Sequence, residues 1–175
     1  MIAAVSVGLT DQVCYRMHVP RWAWAPTSGL GAARQGGRLN RAGVEALYLA
    51  FETETAIAEF QQAAALLPPA TLVTYRVTID KVVDFRAGFT PDWNPLWQDL
   101  SCNWRAMVFD DKVEPPTWVI SDMCIEEGYK GILFPSSERA GGINLVIFNS
   151  SIVAADKLEI FDPKGDLPKI QASWP

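Results

Sequence analysis

The chain has 175 residues, of which 49% are hydrophobic and 11% aromatic, a composition typical of a globular protein with a buried core and not of a disordered chain. A net charge of −5, a pI near 4.9 and the absence of any basic run argue against nucleic-acid binding through phosphate neutralisation. No apolar stretch reaches membrane-spanning length and no charged leader opens the sequence, so neither a membrane span nor a secretory signal is predicted. We therefore expect a single cytoplasmic domain over residues 1–175.

In the first third of the chain the pattern predicts two strands and a helix. A short strand is predicted over Val13–Met17, followed by a loop rich in Pro, Trp and Gly over residues 20–37. The apolar run Ala46–Phe51 predicts a second strand, which carries Tyr48. A helix is predicted from about residue 53 to Leu67, where two prolines end it.

This helix carries a carboxylate beside its apolar face. The apolar face consists of Ala56, Phe60, Ala63, Ala64 and Leu67. Glu59 falls at the edge of that face, and uncompensated burial of a charge costs several kcal/mol. Glu59 should therefore reach solvent, pair with an arginine or serve a ligand, and the helix pattern leaves these alternatives open.

Strands dominate the pattern in the rest of the chain. Val73, Tyr75, Val77 and Ile79 alternate with other side chains, which predicts a half-buried strand. The predicted elements are a strand over Thr71–Asp80 continuing to Phe85, helices near Leu96–Phe109 and over Thr117–Glu127, adjacent strands Gly131–Pro135 and Asn144–Phe148, and an edge strand Leu158–Phe161. This order predicts an α/β (α+β) fold with a mixed sheet flanked by helices, without repeats long enough for a doubly wound fold.

Cysteine and histidine content limits the chemistry. Cys14, Cys102 and Cys124 are far apart and have no CxxC spacing, so we expect reduced thiols and neither a disulfide framework nor a metal site. His18 is the single histidine, which disfavours a zinc enzyme and leaves a Cys–His nucleophile dependent on this one residue. No metal is expected.

Four short blocks follow one another in the sequence. They are Cys14-Tyr-Arg16-Met, Gly36-Gly-Arg38-Leu-Asn40 with Leu47-Tyr48, Thr55-Ala-Ile-Ala-Glu59, and Phe134-Pro-Ser136 through Asn144-Leu-Val. In this order and spacing they resemble the RES-domain family, named for Arg, Glu and Ser, with the motif-bearing core at about residues 13–149. Matches around Arg21–Gly29 and Glu114–Val119 resemble the subgroup that includes the ParT toxin.

The resemblance implies the toxin half of a RES–Xre toxin–antitoxin pair with an ADP-ribosyltransferase-like fold, in which a split sheet forms an NAD cleft. It implies NAD as co-substrate and transfer of ADP-ribose to a cellular protein, with an enzyme of nucleotide metabolism as one plausible acceptor. An NAD-degrading glycohydrolase or phosphorylase is the alternative, and a catalytically silent NAD- or partner-binding module is the alternative of another class. The implied partners are an Xre-like helix-turn-helix antitoxin and a second copy in a homodimer.

The resemblance also assigns residues. It implies Glu59, Arg38 and Ser136 as catalytic, and Arg16 and Tyr48 as further NAD contacts beside these three. Ser137 follows Ser136 directly, so which serine is functional stays open. Each residue also has a structural alternative: Arg38 paired with Glu59, Tyr48 in the core, Ser136 as a turn former and Arg16 at the surface.

The residue types suit the implied chemistry. An arginine fork binds pyrophosphate oxygens in pairs, as Arg16 or Arg38 could. Cleavage of the nicotinamide–ribose bond places positive charge on the ribose, which the carboxylate of Glu59 would stabilise. Tyr48 could stack on nicotinamide or close the pocket, and Ser136 could hydrogen-bond the ribose or the carboxamide.

Overall fold

The computed structural model describes residues 1–62 and 64–173, which form a six-stranded mixed sheet with three α-helices around it. No helix in this part of the chain is long and apolar enough to cross a lipid bilayer. The strands are β1 (Ser6–His18), β2 (Ala46–Ala50), β3 (Thr71–Asp84), β4 (Gly131–Pro135), β5 (Ile143–Phe148) and β6 (Lys157–Ile160). The helices are α1 (Leu30–Gln35), α2 (Thr53–Gln61) and α3 (Pro116–Glu126), with 3₁₀ turns at Pro20–Trp22, Pro95–Asp99, Asn149–Ser151 and Gln171–Ser173 and a π-helical turn at Ala106–Asp111.

The sheet is split into two halves. One half contains β1, β3 and β6, and the other contains β2, β5 and β4, with antiparallel pairing inside each half. The halves meet at the parallel pairing of β3 with β4, over Val82–Asp84 and Gly131–Leu133. At the other end β1 and β2 meet at the single pair Tyr15–Ala50. Because so few residues join β1 to β2, a cleft opens between the halves there.

Side-chain alternation along β5 explains the two parts of the core. Leu145 and Ile147 face the other half of the sheet and pack in one cluster with β3 residues such as Tyr75. Val146 and Phe148 face the opposite way and pack in a second cluster with α3 and the tryptophan-rich segment. Asn144 shares the face of Val146 by the same alternation, although it is polar and 6% exposed.

The predicted fold class, a mixed and split sheet flanked by helices, is confirmed. The predictions also placed five strands and one helix within a few residues of their bounds: β2, β3 with its continuation, β4, β5, the edge strand β6, and α3. Strand β1 is longer than the predicted Val13–Met17, because the polar segment Ser6–Gln12 pairs with β3 through two register shifts. Helix α1 lies inside the predicted loop and was missed.

The helix that carries Glu59 is shorter than predicted. Helix α2 ends at Gln61 and not at Leu67, so Ala64 and Leu67 are not part of its apolar face; Ala63 lies outside the described residues. Leu66 is 83% and Leu67 45% exposed, so little packs on the chain where the helix was expected to continue. Helices in proteins depend on such packing more than on intrinsic propensity.

The predicted helix over Leu96–Phe109 is wrong. The segment is a 3₁₀ turn, an irregular stretch and a π-helical turn. The indole of Trp97 donates to the carbonyl of Ile2 at 2.8 Å, and Arg38 takes the carbonyls of Leu100 and Cys102. In a continuous helix the carbonyls of Leu100 and Cys102 would accept hydrogen bonds from backbone N–H groups of that helix. In the structure they accept from the distant Arg38 instead.

Candidate active site

A cleft of about 400 Å³ opens where the two halves of the sheet diverge. Its walls come from β1, β2, α2, the turn Gly36–Arg38 and the segment that includes Trp104, Arg105 and Phe109. Asn144 of β5 also lines it. A ligand in this cleft would contact both halves of the sheet.

Glu59 lines the cleft from the last turn of α2. Its Oε1 accepts hydrogen bonds from Ser136 Oγ at 2.7 Å and from Asn144 Nδ2 at 2.5 Å. Among the described residues, Oε2 has no hydrogen-bond partner. Two donors on one oxygen fix the orientation of the carboxylate, because charge-assisted hydrogen bonds are short and directional. The second oxygen is left for a ligand.

The sequence predicts no role for Asn144, although the residue belongs to the fourth motif block. The signal was present, because Asn144 is a polar residue in the otherwise apolar strand β5. Its amide is buried and would be costly without a partner. The structure gives it that partner in Glu59, so Asn144 positions the carboxylate from the sheet side.

Ser136 holds Glu59 from the loop that joins β4 to β5. Its Oγ also accepts from the backbone N–H groups of Glu138 and Arg139, both at 3.1 Å. The turn-forming and the Glu59-orienting roles therefore coexist in one hydroxyl. The hydroxyl of Ser137 lies 3.5 Å from the Glu138 carboxylate and makes no hydrogen bond to Glu59.

Tyr48 braces the turn that carries Arg38. Gly37 N–H donates to the Asn40 carbonyl at 2.8 Å, which makes a tight turn with Arg38 at its tip. The Tyr48 hydroxyl accepts from the Leu39 N–H at 2.9 Å and donates to Asn40 Oδ1 at 2.8 Å. Burial raises the pKa of Tyr48, so the hydroxyl stays protonated and remains a donor at neutral pH.

We expect Tyr48→Phe to lower the free energy of unfolding by about 2 kcal/mol, because the Leu39 N–H and Asn40 Oδ1 would lose a buried partner. Urea denaturation measures the change. The matched control is Tyr15→Phe, since Tyr15 also lines the cleft but its hydroxyl makes no hydrogen bond with the described residues; we expect a change within about 0.5 kcal/mol there. Equal losses in both variants would contradict the bracing role of Tyr48.

Arg38 is tied to an irregular segment and not to Glu59. Its Nη1 donates to the carbonyls of Leu100 at 2.9 Å and Cys102 at 3.1 Å. No ion pair among the described residues joins it to Glu59, so the alternative of a structural Arg38–Glu59 pair is not what the structure contains. The guanidinium thereby connects the Gly36–Asn40 turn to the irregular segment at residues 100–102.

Arg16 lines the cleft on β1 and is not a surface residue. Its Nη1 donates to the Tyr48 carbonyl at 3.3 Å, and the ion pairs among the described residues do not include it. Arg16 is half-buried, and burial lowers the pKa of its guanidinium. A half-buried cation without a carboxylate partner is suited to an anionic ligand.

The charge of the cleft is opposite to that of the protein. Three arginines (Arg16, Arg38 and Arg105) and two glutamates (Glu59 and Glu138) line it, an excess of one positive charge in a chain of net charge −5. Arg105 was not singled out from the sequence; its guanidinium lies 4.8 Å from the ring centroid of Trp104. The cleft therefore favours an anion, and the focused field would raise its local concentration.

His18 and the cysteines lie away from this chemistry. His18 Nε2 is 2.6 Å from the Tyr75 hydroxyl, and burial lowers the pKa of His18 to about 3, so the ring is neutral. All three cysteines are free and none lines the cleft, so the structure does not assemble a Cys–His nucleophile there. Within the described ranges, no three His, Cys, Asp or Glu side chains are grouped as metal ligands.

The structure thus gathers four of the five predicted site residues on one cleft: Arg16, Arg38, Tyr48 and Glu59. Ser136 reaches the same place through its hydrogen bond to Glu59 but lines an adjacent pocket of about 320 Å³, which shares Arg38, Phe134 and Ser137 with the cleft.

Comparisons with known proteins identify the family and the fold. The family model described as RES domain matches residues 13–169. Among solved structures, the crystal structure of the M. tuberculosis MbcT–MbcA toxin–antitoxin complex is similar, with a TM-score of 0.58 and 20% identity over 90% of this chain and 85% of that one. No curated protein sequence matches significantly. At this identity the structural likeness concerns the fold.

Proposed function

The chain belongs to the RES-domain family, and from that membership and the geometry of its cleft we propose that it is the toxin of a toxin–antitoxin pair that cleaves the nicotinamide–ribose bond of NAD and transfers ADP-ribose to a cellular protein. The observation that carries this proposal is Glu59, which is held by two donors on one oxygen, has no hydrogen-bond partner on its second oxygen among the residues the structure describes, and lies in a cleft with three arginines.

The proposed mechanism of bond cleavage rests on the positive charge that develops on the ribose. When the bond between ribose C1′ and the nicotinamide nitrogen breaks, the electron pair leaves with the ring and positive charge develops on the ribose. A fixed carboxylate beside that position interacts more strongly with the transition state than with the substrate, which accelerates the step. Glu59 has the orientation for this role because Ser136 and Asn144 prevent it from rotating.

The arginines give the cleft its affinity for a dinucleotide. The pyrophosphate of NAD is a dianion, and Arg16 is a half-buried cation in the cleft that pairs with no carboxylate among the described residues. A pyrophosphate oxygen pair would accept hydrogen bonds from Arg16, and Arg105 adds positive charge from the Trp104 side of the cleft. Binding of the pyrophosphate would neutralise the positive charge of Arg16.

A protein acceptor is favoured by the rim of the cleft. Phe109 lines the cleft and is 43% exposed, and Arg105 beside it is also exposed. An exposed aromatic ring next to an arginine is typical of a surface that contacts another protein. Water or phosphate as acceptor would instead make the protein an NAD-degrading enzyme.

The partner would be an antitoxin. The similar solved structure is a toxin–antitoxin complex, and an NAD-consuming enzyme needs a neutralising partner in its own cell. We propose an Xre-like antitoxin encoded beside this chain and a homodimer of the chain within the complex. Co-expression of the neighbouring gene tests this: restored growth supports the pair.

The test of the activity is nicotinamide release from NAD by the purified chain, with adenine-labelled NAD and a bacterial lysate present. We expect release, with label on a discrete lysate protein. Release without labelled protein would replace the transferase by an NAD-degrading enzyme. Absence of release, with and without lysate, would overturn the enzymatic proposal in favour of a binding module.

The choice between the two adjacent serines has a clear expected outcome. Ser136→Ala should lower kcat about tenfold to a hundredfold with KM nearly unchanged, because a hydrogen bond to a charged group is lost while the cleft remains. The matched control is Ser137→Ala, which should alter kcat less than about twofold because Ser137 does not contact Glu59. Steady-state kinetics of nicotinamide release compares them; a larger loss in the Ser137 variant would reverse the assignment.

A further inference from the structure

The pocket beside the cleft differs from it in chemistry. It has a volume of about 320 Å³, and its aromatic wall consists of Phe85, Phe89 and Trp97. Phe85 and Trp97 are buried and stack with ring centroids 4.6 Å apart, whereas Phe89 is 37% exposed. The polar groups at its edge include Gln98, and no carboxylate lines it. Such a pocket fits a flat, uncharged aromatic ring with one amide-like edge.

The position of this pocket connects it to the scissile bond. Ser136 lines the pocket and donates to Glu59, and Arg38 and Ser137 line both the pocket and the cleft. A single side chain, that of Ser136, therefore links the pocket to the Glu59 carboxylate. A group that leaves the ribose next to Glu59 would therefore have this pocket as its neighbour.

We propose that this pocket, lined by Phe89, Gln98 and Trp97, is the site of the departing nicotinamide ring, and that the larger cleft with Arg16 and Arg105 holds the ADP-ribose half. The inference rests on the proposed NAD cleavage and adds to it a separate place for the leaving group. Gln98 and Ser101 line the pocket and are the residues whose polar side chains would hydrogen-bond the carboxamide.

The positive charge of Arg38 favours departure of the nicotinamide ring and gives Arg38 a catalytic role. Arg38 is the charged residue among those that line the pocket. The nicotinamide ring is a cation while bonded to ribose and becomes neutral when the C1′–N bond breaks, because the ring nitrogen keeps the electron pair. Arg38 disfavours the cationic ring and Glu59 favours the cationic ribose, so both charges lower the energy of the transition state relative to the substrate. The acceptor then supplies the electron pair for the new bond to C1′ and loses a proton.

The test uses two probes, nicotinamide and ADP-ribose, and needs no turnover. Dissociation constants are measured by ligand-detected NMR titration for the wild type and for Phe89→Ala, whose exposed ring can be removed without emptying the core. We expect the nicotinamide constant to rise about tenfold, as for loss of one ring-stacking contact, with ADP-ribose changed less than about twofold. Phe109→Ala, which removes an exposed ring from the cleft, is the matched control and should affect ADP-ribose more than nicotinamide.

The other results would overturn the inference. Weaker ADP-ribose binding with unchanged nicotinamide binding in Phe89→Ala would assign the pocket to the adenine half. Three results would refute the leaving-group site. They are unchanged binding of both probes in Phe89→Ala, equal loss of binding for both probes, and a wild type that does not bind nicotinamide. A wild type that binds nicotinamide through Phe89 but does not cleave NAD would instead refute the proposed activity and leave the pocket assignment in place.

Discussion

Glu59→Gln is expected to lower kcat for nicotinamide release by about 10² to 10³, with KM changed only a few fold, because the variant loses the negative charge that stabilises the ribose cation. The amide oxygen of glutamine can still accept from Ser136 and Asn144, so the side chain should keep its place. Thermal denaturation should accordingly show a melting temperature close to that of the wild type. Kinetics and melting together separate loss of chemistry from loss of fold.

The matched control is Glu54→Gln on the same helix. Glu54 is exposed and does not line the cleft, so its neutralisation removes the same charge from α2 without touching the site. We expect kcat within about twofold of the wild type. If Glu59→Gln releases nicotinamide as fast as this control, the carboxylate-based mechanism is wrong.

Arg16→Met is expected to raise KM for NAD about a hundredfold, since two charge-assisted hydrogen bonds to pyrophosphate would be lost. The same substitution should leave the free energy of unfolding unchanged or raise it by about 1 kcal/mol. Removal of a half-buried cation that pairs with no carboxylate in the described part of the chain relieves a desolvation cost, and methionine fills much of the same volume. Isothermal titration with ADP-ribose and urea denaturation measure the two effects.

Arg76→Met is the control for loss of a strand arginine. Arg76 lies on β3 and pairs with Asp11 at 2.6 Å on the exposed surface, with half of its side chain accessible. We expect no change in ligand affinity. A loss of more than about 2 kcal/mol of stability in Arg16→Met, together with unchanged affinity, would show that Arg16 has a structural role only.

Local pattern was sufficient for several elements. Strand β3 was predictable because its side chains alternate over many residues, and α3 because a proline pair precedes an apolar run. The end of α2 was not predictable, because Leu66 and Leu67 look like helix core but remain exposed in the structure. Whether an apolar residue finds a packing surface is decided by parts of the chain distant in sequence.

The candidate site likewise combines residues that the sequence identified with contacts that only the structure reveals. The motif blocks identified Arg16, Arg38, Tyr48, Glu59 and Ser136, and their roles stay predictions. Motifs do not reveal contacts, so neither the hydrogen bond from Asn144 to Glu59 nor the attachment of Arg38 to the Leu100 carbonyl could be read from them. These contacts join residues more than 60 positions apart.

The sequence by itself determined the strand periods, the reduced state expected for scattered cysteines, the acidic net charge and the family to which the chain belongs. Tertiary structure alone decided that a cationic cleft forms inside an acidic protein, that Glu59 is fixed through one oxygen and that an aromatic pocket lined also by Arg38 adjoins it. The physical reason is that hydrophobic period and composition are local properties of a chain. Charge complementarity and hydrogen-bond partners at a site depend on which distant residues the split sheet brings within a few ångströms.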